Sequence, residues 1–138
     1  MSENRATIEV VSYYPLDTSN YYNPDAWVIY IDDPATHQSL HRLVYQPGAR
    51  RFATVEGRYG CHPRELPRYK ERRHVGYIEK NKMAEARNAI QQSMVCQHTG
   101  SHTWVIDVLQ DLQRRGCARL VWRWMEWFDY NRNSRCGD

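Results

Sequence analysis

Apolar and polar positions alternate along the first half of the chain and change to a helical period in the second. Residues 6–14, ATIEVVSYY, are rich in β-branched and aromatic side chains and predict a strand. PLDTSNYYNPD follows as a loop, marked by two prolines and several Asn and Asp. Residues 26–31, AWVIYI, form a short apolar run stopped by Asp-Asp-Pro, and residues 39–45, SLHRLVY, make the next strand. The spacer DDPATHQ suits a hairpin with a longer loop, QPGAR reads as a turn, and RFATVEGRY reads as a further strand. Residues 61–74, CHPRELPRYKERRH, carry two prolines and many basic side chains, which predicts irregular structure, and VGYIEK follows as a short strand.

From residue 80 the period becomes helical. In KNKMAEARNAIQQS, residues 80–93, Met83, Ala86 and Ile90 fall on one face, with Met94 just beyond. Residues 101–115 place Trp104, Val105, Val108, Leu109 and Leu112 on one face and Asp107, Gln110, Asp111, Arg114 and Arg115 on the other. Ser101 suits the helix N-cap and Gly116 suits the terminator. The segment CARLVWRWMEWFDY also fits a helical period, through Leu120, Val121, Trp124, Trp127 and Phe128. Strands followed by helices predict an α+β fold: a small antiparallel sheet, a helix pair and a C-terminal aromatic segment, in one domain spanning residues 1–138.

Composition narrows the function classes. The net charge of +3 is too small to indicate nucleic acid. No segment approaches the roughly 18 apolar residues of a membrane span, and the N-terminus has no apolar signal core, so a cytoplasmic protein is expected. Cys61, Cys96, Cys117 and Cys136 are scattered, which favours free thiols over disulfides in that compartment. The six His and four Cys show no paired metal-ligand spacing, so neither metal nor organic cofactor is expected. Five Trp, three of them at 122, 124 and 127, make a homodimer through the C-terminal segment an expectation. In the run from Arg64 to His74, the basic residues Arg64, Arg68, Lys70, Arg72 and Arg73 flank Tyr69. With Glu65 and Glu71 between them they read as a solvated loop, or as one that recognises a carboxylate or phosphate.

AWVIYIDDP, then LHRLVYQPG, then SHTWVIDVLQDL resemble the permuted papain-like fold of the lecithin:retinol acyltransferase-like and NlpC-type proteins and of related small fungal proteins. The resemblance covers roughly residues 25–116 and implies a nucleophile cleft at the start of the 101–115 helix. Its catalytic positions have changed. Ala26 stands where the resemblance puts a His, Tyr45 (or His41) at the second-strand position, and Ser101 at the nucleophilic Cys. A serine needs an adjacent general base, and Ala26 supplies none. His102 adjoins Ser101 but does not face it on a helix, and it reads as an exposed first-turn residue or as a general acid/base reaching the cleft.

The resemblance therefore implies a repurposed, cofactor-independent small-molecule enzyme of isomerase, dehydratase or cyclase type, of the kind found in fungal specialised metabolism. In it Ser101 is cap and polar anchor, Tyr45 with His41 or His102 handles protons, and Asp25 orients or accepts. Trp27, Arg73, His74 and Trp104 would line the substrate site. Two alternatives stand beside it: a non-catalytic pseudoenzyme that binds a ligand or partner, and a Ser101-dependent hydrolase or acyltransferase.

Overall fold

The computed structural model describes residues 5–14, 26–34, 38–45, 53–93, 101–121 and 123–126, with backbone alone at 44, 45, 53 and 54. Among the described residues, five strands, β1 (Arg5–Tyr13), β2 (Ala26–Asp32), β3 (Ser39–Tyr45), β4 (Ala53–Tyr59) and β5 (Tyr69–Glu79), precede two helices, α1 (Met83–Gln91) and α2 (Ser101–Arg114), and a short strand β6 (Ala118–Leu120) follows. The strands form one sheet in the order β4–β3–β2–β1–β5–β6, antiparallel at every pairing. The fold is α+β. No described helix is long and apolar enough to cross a membrane.

Alternation along the strands makes two faces. Ala6, Ile8 and Val10 of β1 and Trp27, Ile29 and Ile31 of β2 point to the helix side, where they pack with Met83, Ala86 and Ile90 of α1 and Trp104, Val105, Val108, Leu109 and Leu112 of α2. Val11, Tyr13, Val28, Tyr30 and Leu40 form a smaller cluster on the other face. The topology explains its cover. The chain must travel from β4, at one edge, to β5, beside β1. Residues 60–68 make that crossing, bringing Cys61 and Leu66 onto the second cluster. The strap is tied down where the Tyr13 hydroxyl donates to Pro63 O at 2.8 Å and the Tyr14 N–H donates to Arg68 O at 2.8 Å.

Two expected elements differ. Residues 69–74 are strand, not loop. β6 pairs only with Gly76–Ile78, so this half of β5 is an edge strand, where charged side chains are the usual protection against further pairing. The C-terminal segment is not a continuous helix. Gly116 takes φ +77°, with Gly116 N–H donating to Gln113 O and Cys117 N–H to Leu112 O. This double closure ends α2 and turns the chain back along β5 as β6. Residues 124–126 form one short helical turn, and Trp122, Trp127 and Phe128 lie outside the described residues, as does Met94 of the expected α1 face. Cys61 and Cys117 are free thiols, and Cys96 and Cys136 are outside the described residues.

Candidate functional site

The β2–β3 ladder is short: Ile31↔Ser39, Tyr30↔Leu40 and Ile29↔His41. Beyond Ile29 the two strands part, while β3 stays paired with β4 as far as Tyr45↔Ala53. The start of α2 fills the opening. Ser101 Oγ accepts the backbone N–H of Trp27 at 3.0 Å, taking the place of a strand carbonyl. Ser101 opens the described part of α2, and residues 94–100 before it are outside the described residues. Its hydroxyl joins helix to strand.

His102 is 1% exposed, not the exposed first-turn residue its position suggests. Its imidazole stacks on the Trp27 indole, with centroids 3.8 Å apart and planes 19° apart. Trp27 and Trp104 are core residues at 3% and 1% exposure, which removes them from contact with a substrate. The Trp104 indole N–H donates to Ser93 Oγ at 2.9 Å, fixing the end of α1 to α2. Ala26 alternates with Trp27 and so falls on the face away from α2, where even a basic side chain would point away from Ser101.

The remaining expected site residues do not converge here. His41 lies opposite Ile29, buried at 1%. His74 pairs with Glu9, is exposed, and packs edge-on against Tyr77 at 4.9 Å. Arg73, opposite Val10, is exposed. Tyr45 sits at the last position of β3, on the border of the opening. Asp25 is outside the described residues.

Two clusters not anticipated carry more polar chemistry. On the helix side, Ser39 and His41 share a strand face at i, i+2, a spacing readable in SLH. Arg87 Nε donates to Ser39 Oγ at 3.2 Å, and Ser39 Oγ lies 2.9 Å from His41 Nε2. A guanidinium can only donate, so Arg87 takes one lone pair of the serine oxygen, and the hydroxyl hydrogen and the second lone pair remain for His41 Nε2. Burial, then the Arg87 charge, pushes the His41 pKa down to about 4. The pair has the geometry of a nucleophile and its base. Ser39 is 0% exposed, however, and no substrate atom reaches it in this conformation. It is a buried polar link between sheet and α1, and His41 Nδ1 has no hydrogen-bond partner among the described residues.

On the opposite face, His62, Arg72, Glu9 and Tyr30 meet under the strap. Arg72 Nε is 3.5 Å from Glu9 Oε1, Arg72 Nη1 is 3.4 Å from His62 Nε2, and the His62 ring meets Tyr30 edge-on at 6.1 Å. Burial, then the nearby Asp32 carboxylate, raises the Tyr30 hydroxyl to about 12, so it is a donor rather than a base near neutral pH. Among the described residues no group of three or more His, Cys, Asp and Glu is placed to hold a metal ion.

No family model, no curated protein and no solved structure matches the chain.

Proposed function

We propose that this protein acts by binding and not by covalent catalysis, on a scaffold related to the permuted papain-like one, with its nucleophile position converted to structure. The observation that carries this is the Ser101 Oγ contact with the Trp27 N–H at 3.0 Å, at the opening between β2 and β3. The helix start lies against the strand as a nucleophile helix would. Yet Ser101 is engaged by backbone, Ala26 offers no base, and His102 is buried flat on Trp27. A serine without an adjacent base is a poor nucleophile near neutral pH. The positive end of the α2 dipole still favours a polar or anionic group of a ligand near Ser101.

The test is intact-mass spectrometry after incubation with a fluorophosphonate and, separately, with an activated acyl ester. The expected result is no adduct at Ser101. A stoichiometric adduct that disappears in S101A overturns the reading and restores the hydrolase or acyltransferase alternative.

The acid/base small-molecule enzyme is a second reading. It is favoured by the placement of the β3 end, which carries Tyr45, on the same opening as Ser101. It requires turnover that falls at least tenfold in Y45F or D25N while their melting temperatures stay unchanged.

A further inference from the structure

The contact between His62 and Arg72 contains a conflict of protons. His62 Nδ1 accepts the backbone N–H of Arg64 at 3.1 Å, capping the 3-10 turn Pro63–Glu65. That donor is fixed by the main chain. The imidazole therefore carries its proton on Nε2. The group facing Nε2 at 3.4 Å is Arg72 Nη1, which also only donates. Two N–H groups point into the same space with no acceptor between them among the described residues. Arg72 cannot easily swing away, because Glu9 Oε1 lies beside its Nε at 3.5 Å. The Arg72 side chain is 34% exposed, so the space is open to solvent.

We infer that His62 and Arg72 form a binding site for the oxyanion of a small organic acid. One carboxylate oxygen set between Nε2–H and Nη1–H accepts from both, and the conflict becomes a pair of hydrogen bonds, one of them charge-assisted. The surroundings select the class of anion. Glu9 lies against the guanidinium, and Asp32 and Glu9 both act on the neighbouring Tyr30 hydroxyl. These negative charges favour a carboxylate monoanion over a phosphate dianion. The site is on the opposite face from α2 and does not depend on how Ser101 is read.

The experiment titrates the isotope-labelled full chain with sodium benzoate and, separately, with inorganic phosphate at constant ionic strength. It follows the His62 ring and Arg72 guanidinium resonances. The expected result is a saturable shift with benzoate, at least tenfold weaker in R72M, and weaker affinity for phosphate. H62N, which keeps a capping oxygen for the Arg64 N–H but removes Nε2–H, should also lose at least tenfold. Melting temperatures of both variants verify that the strap stays folded, and R72K, which keeps charge but loses the fork, should fall between wild type and R72M. If phosphate saturates more tightly than benzoate, the carboxylate assignment is overturned. If neither ligand gives a saturable shift, or R72M binds benzoate as wild type does, the site is overturned.

Discussion

The Trp27 indole and the His102 imidazole lie face to face, 3.8 Å apart, across 75 residues of sequence and beside the opening between β2 and β3. A histidine in the first turn of a helix is a natural general base when solvent reaches it. This one is 1% exposed and holds the helix start onto β2.

Removing that ring should therefore cost stability. H102A is expected to lose about 2 kcal/mol in urea denaturation, combining a lost aromatic pair with an unfilled space. H102F should recover at least half of the loss. An H102A variant as stable as wild type would mean that the stack does not hold the junction.

His41 makes stability depend on pH with a definite sign. Its folded pKa, about 4, lies below the roughly 6.5 of an unfolded histidine. Between those values the unfolded chain binds the proton and the folded chain does not, so stability is full above about pH 6.5 and falls as pH drops toward 4. The upper limit of the loss is about 3 kcal/mol. The groups facing the ring are Ser39, Gly57, Tyr59 and, through Ser39, Arg87. H41Q should flatten the slope in that window while the carboxylate contribution, common to both proteins, cancels in the difference. Identical slopes for wild type and H41Q would contradict the neutral, buried assignment.

Gly76 sits where the β6 backbone leaves no room for a side chain on β5. A Cβ there would lie 2.4 Å from Arg119 O and 3.0 Å from Leu120 Cα. G76A should cost about 2–3 kcal/mol by forcing β6 off β5, and amide exchange should quicken at Ala118–Leu120. A neutral G76A would show that β6 is not held in this register.

The sequence pattern was most legible where one period dominated. β2 and β3 start where their apolar runs start, and α2 follows its amphipathic face from Ser101 to the glycine that ends it. It failed where an element's surroundings override its composition. YKERRH carries a loop's residues but lies along β1 as an edge. ARL fits either period, and only the turn at Gly116 decides for strand. The candidate site was less legible for a related reason. Sequence places Ser101 beside His102, but not the Trp27 backbone that takes the hydroxyl or the indole that takes the ring. The Ser39–His41 spacing was visible in the chain, but Arg87, which donates to the serine, comes from another element. Arg72 belongs to the basic run and His62 lies just before it, and their convergence depends on the strap crossing the sheet.

The most direct measurement of the central claim is amide hydrogen exchange at Trp27 in wild type and in S101A. If Ser101 serves the fold, the Trp27 N–H is protected in wild type, and S101A speeds its exchange about tenfold with about 1 kcal/mol of global stability lost. If the Trp27 amide exchanges at the same rate in both proteins, the serine is not holding the strand, its hydroxyl is available for chemistry, and the binding-only account of the α2 start is wrong.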